Sequence, residues 1–482
     1  MMTPCTIASA PGKVLLAGGY LVLEQAFTGL VVGTSARFYT VIRPSSQAST
    51  TTPGTVTVLS PQFEQASWTY QAIATNEKLA FHSITTESQN KFVETCLKFS
   101  LDVILQRIGS HALNEKLAQG IEITIVGDND FYSQRAQLEA KHLENNAESL
   151  ASLDPFCKTH ATLGSVHKTG LGSSAALTTS LVAALLLFFQ VVGHELNKKE
   201  KTLIHNLAQF VHCFAQGKVG SGFDVSSAVW GSHRYKRFNP AILTPIMDEH
   251  VDAAILSKAL DADNTEWDNE VAPFTLPPGL DLMLADIDAG SHTPTLVGKV
   301  LAWKKANPDE ANALWNELGK YNSLVEHHFR QLTSLYHDDG EEYNTTIQTC
   351  AQLKCTEWET AVSGKVGKEL VSLVHDFNHV RGLLQKMSEL SGVPIEPKEQ
   401  THLLDTCTQV PGVVMSGVPG AGGYDAIFCI VLSNQSKHAV RKVWESWKDL
   451  SVGPLLSQAD SNGVTSVSLL SVPGLADTLT SK

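Results

Sequence analysis

Apolar residues in the first third of this chain fall in short runs, many of them alternating with polar residues and broken by turn formers. "TIASAPGKVLLAGGYLVLE" reads as strand, loop, strand, and "LVVGTSARFYTVIRP", "TVTVLS" and "GIEITIVGD" as further strands, with "SSQASTTTPGT" an exposed loop among them. "NKFVETCLKFSLDVILQRIG" has a helical period and predicts a helix ending at Gly109. Residues 128 to about 160 are polar and patternless, which predicts a loop or an insertion.

The pattern then changes. Ala175 to Val192 is apolar almost all round, interrupted by Thr178, Thr179, Ser180 and Gln190. It falls short of the ~20 apolar residues of a membrane span and predicts a buried helix. "KTLIHNLAQFVHCFAQG" predicts a second helix, ending at Gly217. A new strand signal, "LDLMLADI", starts near Leu280, and helical periods follow at 295–306, 309–334 and 366–391. "GVVMSGVPGAGGYDAIFCIVL" reads as strand, glycine turn, strand, and "KHAVRKVWESW" as a late helix. There is no internal repeat. At 482 residues the chain exceeds one ordinary core, so two domains are expected, 1–232 and 233–482.

Composition narrows the function. With 43% hydrophobic and 18% charged residues the chain belongs among folded globular proteins. A net charge of -13 argues against a nucleic-acid surface, which rewards clustered Lys and Arg. It leaves room for one small anionic ligand in a local cationic pocket. The eight cysteines include no CxxC and no metal spacing, and "MMTPCTIASAPGK" lacks a secretory h-region, so reduced thiols in a cytoplasmic protein are expected. No membrane partner is expected, and the sequence leaves the oligomeric state open.

Four stretches can carry chemistry, and each also has a plain structural reading. In "KTGLGSSA", Lys168 to Ala175, Gly170 and Gly172 permit a tight turn, and Ser173 and Ser174 open the apolar helix. Free N–H groups and the helix dipole there suit a phosphate, but the same residues also make a turn that caps a core helix. The loop does not match GxxxxGK[ST], and neither does "APGKVL", so a P-loop kinase is unsupported. Lys13, in a Pro-Gly turn beside a strand, is either a solvated turn residue or a charge placed between phosphates. Asp224, in "GKVGSGFDVSSAVWG", is either an N-cap or a carboxylate aimed at reacting atoms. "VPGAGGYDAI" is either a hairpin or an anion cradle.

The order of these stretches is more telling than any one of them. "PGKVLLAGGY", "GLGSSAA", "GSGFD" and "PGAGGYDA", spread between Ser9 and about Ile430, resemble the GHMP kinase family, and within it look most like the fungal phosphomevalonate kinase branch. The resemblance implies an α+β, two-domain GHMP kinase fold. The N-terminal domain would be a ribosomal-protein-like α/β sandwich that binds nucleotide. The C-terminal domain would be ferredoxin-like and contribute to the acceptor site. The activity implied is transfer of the γ-phosphoryl of ATP to (R)-5-phosphomevalonate, giving (R)-5-diphosphomevalonate in the mevalonate route to isoprenoids and sterols, with Mg²⁺ as cofactor. ATP and 5-phosphomevalonate are the expected small-molecule partners.

Carried over residue by residue, the resemblance puts Lys13 and Asp224 at the reacting centre. It puts Lys168, Gly170, Leu171, Gly172, Ser173, Ser174 and Ala175 around the ATP phosphates, with Ser174 also a Mg²⁺ ligand. Tyr20, Lys218, Ser221, Gly420, Ala421 and Gly422 are the expected acceptor-binding residues. Ser291 and Thr293, in "GSHTPT" after a strand, are either an acceptor clamp or a helix cap.

Two departures from mevalonate kinases matter. Gly19 and Tyr20 stand where those enzymes carry Glu-His, and "QFVHCFAQG" offers no acidic residue where they supply a Mg²⁺-binding glutamate. A phosphorylated acceptor agrees with the cations Lys13, His167, Lys168, His212 and Lys218 in or beside the motifs. The alternatives are mevalonate kinase or another small-molecule kinase of the family, and a silent ATP-binding relative. "HDFNH" at 375–379 and the pair at 327–328 are ordinary helix histidines, since neither makes a metal motif.

Overall fold

Two antiparallel-rich sheets flank the cleft formed by these motifs. The computed structural model describes residues 5–45, 52–85, 89–287 and 293–479, and the side chains of 293 and 294 lie outside that description. The first sheet is built on β1 (Thr6–Ala17) and β2 (Thr28–Pro44), paired antiparallel over most of their length. It continues through β6 (Ile121–Gly127) to β3 (Thr55–Leu59), β4 (Ser67–Thr75) and β5 (Lys78–Ser83), and only the β3–β6 pair is parallel. β7 (His233–Lys236) pairs with β2 and with β8 (Glu270–Pro273). The tail returns to the same sheet, where β13 (Ala459–Asp460) joins β2 and β14 (Thr465–Ser466) joins β1. Arg37 fastens that return with bonds to the Gly463 carbonyl at 2.6 Å and Ser9 Oγ at 3.0 Å. The first sheet thus takes strands from beyond residue 232, because β2 offers partners to both β7 and the tail.

The apolar run forms the helix Ser173–Phe188, which packs on β1 and β2. Its Ser180 hydroxyl meets Thr40 Oγ1 at 2.9 Å, so that polar pair is satisfied inside the core. Helices Lys91–Leu117 and Lys198–Gln216 pack against it. The first of these was expected to stop at Gly109. That residue does leave helical space (φ 79°), but the helix resumes and runs to Leu117. The stretch expected as a loop after residue 128 carries two short helices, Arg135–Ala140 and Ala147–Ala151.

The second sheet has the order β10–β11–β9–β12, with β9 (Asp281–Ile287), β10 (Val413–Gly417), β11 (Ala426–Val431) and β12 (Val452–Leu455). Helices Thr293–Ala306, Pro308–Asp338 and Gly364–Ser391 match the three predicted periods, and the last two pack together. Among the described residues no helix is long and apolar enough to cross a membrane. The chain is an α+β protein with its motifs gathered between the two sheets.

Candidate active site

Lys13 does not stand in a turn. β1 runs straight through Pro11 and Gly12, with a register shift against β2 between Pro11 and Lys13. That bulge is possible because residue 12 is glycine: a Cβ there would press on Thr34 Oγ1, the Leu171 carbonyl and the Phe131 ring. Beyond it the half-buried Lys13 side chain reaches the glycine loop. Its Nζ donates to the Gly170 carbonyl at 2.9 Å and lies 5.5 Å from the centre of the Phe223 ring, while its backbone N–H donates to the Leu171 carbonyl at 2.9 Å. Burial pushes the Lys13 ammonium below its ordinary pKa, and the charges of Asp224 and Asp425 oppose that shift.

The loop itself needs its glycines. Gly170 and Gly172 have φ of 78° and 77°, in the left-handed region. The first helical bond runs from the Ala176 N–H to the Gly172 carbonyl. The amides of Ser173, Ser174 and Ala175 therefore lie ahead of the helix's internal ladder, at the positive end of its dipole. Lys168 forms a single bridge with Tyr132, and its side chain is exposed. His167 turns to Asp286 of β9, with Nε2 3.3 Å from Oδ1.

Asp224 is held by a different device. The helix Phe223–Trp230 is capped by Gly222 (φ 82°), so Asp224 is not the cap. Its Oδ1 accepts from the Val225 N–H at 3.0 Å, and its Oδ2 lies 3.8 Å from Nε2 of His212. The loop before it is tied from several sides. Tyr235 donates its hydroxyl to the Ser221 carbonyl at 2.8 Å, and Gln209 Nε2 donates to the Gly222 carbonyl at 2.5 Å. Arg237 donates to the carbonyls of Gly220 (2.6 Å) and Leu23.

His212 joins the two halves of this arrangement. It is buried, and its Nε2 is 3.1 Å from Ser174 Oγ and 3.3 Å from Gln216 Nε2. Burial pushes its imidazole below the ordinary pKa, with Asp224 opposing.

The third wall is the turn Pro419–Gly423 between β10 and β11. Gly420 N–H donates to the Leu15 carbonyl at 3.2 Å, two residues beyond Lys13. Tyr20 donates its hydroxyl to the Ala421 carbonyl at 2.8 Å, and burial pushes that phenol above its ordinary pKa. Tyr20 has φ 62°, a backbone position uncommon for a bulky residue. The preceding Gly19 faces the Gly420 carbonyl, with which a Cβ would collide. The stretch read as strand, loop, strand is one strand to Ala17, and its tail is this corner followed by a short 3-10 turn, Leu21–Leu23.

A cavity of about 150 Å³ lies between these walls, lined among others by Lys13, Tyr20, Gly170, Ser221, Gly420 and Asp425. Of the residues expected together from sequence, Lys13, Tyr20, Gly170, Leu171, Ser221, Gly420, Ala421 and Gly422 line this cavity, while Lys168, Gly172, Ser173, Ser174, Ala175 and Asp224 lie outside its lining. Lys218 is exposed beyond the end of its helix and is not among the lining residues. Ser291 lies outside the described residues, as does the side chain of Thr293, whose backbone opens the helix Thr293–Ala306. Sequence reasoning missed Asp425 as a site residue, although the motif "GAGGYDA" contains it, and missed Arg237 as a brace. It counted His212 as one more cation and not as a link between Ser174 and Asp224.

Among the described residues no group of three His, Cys, Asp or Glu side chains is placed to hold a metal. The hydroxyl of Ser174 and the carboxylate of Asp224, both reached by His212, are hard oxygen donors. They suit Mg²⁺, which takes few protein ligands when substrate phosphates supply the others.

Comparison with known proteins places the chain in a family. A family model described as the GHMP kinases N terminal domain matches residues 141–232. The chain is 37% identical over 488 residues to "Phosphomevalonate kinase, peroxisomal" of Arabidopsis thaliana, covering 95% of each. It is 37% identical over 482 residues to phosphomevalonate kinase ERG8 of Gibberella zeae, covering 97% of each. Among solved structures, a Streptococcus pneumoniae phosphomevalonate kinase in complex with phosphomevalonate and AMPPNP superposes with a TM-score of 0.58 at 14% identity, covering 95% of this chain and all of that one. That last likeness speaks for the fold.

Proposed function

The chain belongs to the phosphomevalonate kinases of the GHMP kinase family, and from that premise we propose that its cleft moves the γ-phosphoryl group of ATP onto the phosphate of (R)-5-phosphomevalonate. A bond forms between an acceptor phosphate oxygen and the γ-phosphorus, and the bond from that phosphorus to the β-bridging oxygen breaks. The products are (R)-5-diphosphomevalonate and ADP. The observation that carries this reading is Lys13 Nζ, bound to the glycine loop and lining the same cavity as the Gly420–Gly422 turn.

Both reactants are polyanions, so the site must offset repulsion before any bond can change. Gly170 to Ala175 bind the ATP phosphates through backbone amides and the helix dipole. Ser174 and Asp224 would hold Mg²⁺, whose chemistry is to neutralise charge on the phosphates. Lys13 supplies the protein's own positive charge where negative charge develops. Asp224 positions; it is not the base an alcohol acceptor would need, because a phosphate monoester with a second pKa near ~6 already presents an anionic oxygen at neutral pH. Tyr20, Ser221 and the Gly420–Gly422 turn hold the acceptor. Residues up to about 232 carry the nucleotide loop, and residues beyond contribute the acceptor wall. A cytoplasmic location is proposed on the eight unpaired cysteines, and fluorescence localisation of the tagged full chain checks it.

The test is a coupled ADP-release assay with 5-phosphomevalonate and mevalonate side by side. The reading expects saturable, Mg²⁺-dependent turnover with the phosphorylated acid alone. Preference for mevalonate, or turnover of neither, would overturn it.

A further inference from the structure

The acceptor turn rests on a carbonyl whose position is set by a buried ion pair. Gly423 N–H donates to the Ile395 carbonyl at 2.8 Å, and Gly422 lies so close to that oxygen that a Cβ would collide with it. Ile395 is fully buried, and its N–H donates to Ser388 Oγ at 2.9 Å. The next residue is Glu396, whose side chain has no exposed surface. Its carboxylate accepts from Arg381 Nη2 at 2.7 Å and Nε at 3.1 Å, from Gln385 Nε2 at 2.8 Å and from Thr401 Oγ1 at 3.0 Å. Arg381 reaches on to Asp405 at 2.9 Å. Glu396 therefore stitches the helix Gly364–Ser391 to the helix Lys398–Thr408 one residue from the shelf under the turn.

We propose that the Arg381–Glu396 pair is a positioning device for the acceptor turn, and through it sets the affinity for phosphomevalonate. This rests on the reading that the Gly420–Gly422 turn meets the acceptor. The chain of contacts is short. Glu396 fixes Ile395, the Ile395 carbonyl fixes Gly422 and Gly423, and the turn binds the Tyr20 hydroxyl and the Leu15 carbonyl beside Lys13. Stability alone is a poor reason for such a pair. Replacing both partners of a buried ion pair by apolar residues of similar size is often neutral or better, whereas removing one leaves an uncompensated charge. The planar guanidinium fork holds a carboxylate in one orientation, which is what a shelf requires. Neither residue lines the cavity, so neither is a catalytic residue.

The experiment compares the wild type, Glu396→Gln and the double variant Arg381→Met/Glu396→Leu. It measures KM for 5-phosphomevalonate, KM for ATP, kcat and melting temperature. Displacing a positioned group by ~1 Å can cost up to about 10²-fold. Glu396→Gln is therefore expected to raise KM for 5-phosphomevalonate about tenfold, with KM for ATP and kcat changed by less than about threefold, the signature of lost binding alone. The double variant is expected to melt close to the wild type and still show the raised KM. If Glu396→Gln does not fold, the double variant decides. An unchanged KM for 5-phosphomevalonate, an equal rise for ATP, or a double variant that recovers both stability and wild-type KM would make the pair merely structural. A wild type that does not turn over 5-phosphomevalonate would instead overturn the underlying functional reading.

Discussion

Lys13 Nζ donates a hydrogen bond to the Gly170 carbonyl at 2.9 Å, across 157 residues of sequence. That bond places a half-buried cation against the loop that carries the free helix amides. It also explains the side chain's environment: Gly172 leaves room for it, since a Cβ there would press on the lysine methylenes.

Lys13→Met keeps most of the volume of the side chain and removes its charge. A buried ammonium is costly to desolvate, so removing it relieves a penalty while losing one hydrogen bond, worth about 0.5–1.5 kcal/mol. The melting temperature is expected to hold, and kcat to fall by about 10²–10³-fold, the scale of losing one preorganised electrostatic contact. Thermal denaturation and initial rates on the same preparation check both.

Burial also lowers the pKa of Lys13, so its charge is lost at a lower pH than that of a free lysine near ~10.4. The protonated form is the active one. Wild-type kcat/KM, which reports the free enzyme, should consequently fall on the alkaline side below that value, and a kcat/KM profile flat to about pH 10.5 would contradict the assignment.

Ser174→Ala removes the hydroxyl that His212 contacts and that is proposed to hold Mg²⁺. Its Mg²⁺ requirement should rise several-fold and its kcat fall, while stability changes by less than about 1 kcal/mol. Magnesium titrations at saturating ATP provide the readout, and superimposable curves for the two proteins would remove Ser174 from the metal's shell.

The glycine turn and its helix were legible in the sequence because their signal is local: two glycines, two serines and an apolar run stand in one stretch, and the helix forms as Ser173–Phe188. Lys13 was misplaced for the same reason. Pro11-Gly12 has the composition of a turn, and only the neighbours Thr34, Phe131 and Leu171 show that the glycine makes a bulge within one strand. "YLVLE" has the apolar character of a strand, yet Tyr20 is held at positive φ by a bond to Ala421, some four hundred residues away. His212, Asp425 and Arg237 gain their roles from contacts between distant segments, which no local pattern encodes.

Tyr20→Phe tests that corner. It deletes the bond to Ala421 and leaves the carbonyl without that donor. A loss of about 1 kcal/mol of stability, with a several-fold higher KM for 5-phosphomevalonate, is expected from urea unfolding and steady-state kinetics. No change in either would mean that the bond holds nothing in place.

The central claim is that this site works by opposing negative charge and not by removing a proton. It is tested most directly by kcat for Asp224→Asn and Lys13→Met with 5-phosphomevalonate from about pH 5.5 to about pH 9. The account predicts that the asparagine variant keeps the larger residual rate, and that its deficit narrows as pH rises above the acceptor's second pKa near ~6. An asparagine variant slower than the methionine variant at every pH, and not rescued by raised Mg²⁺, would make Asp224 an essential base and contradict the account.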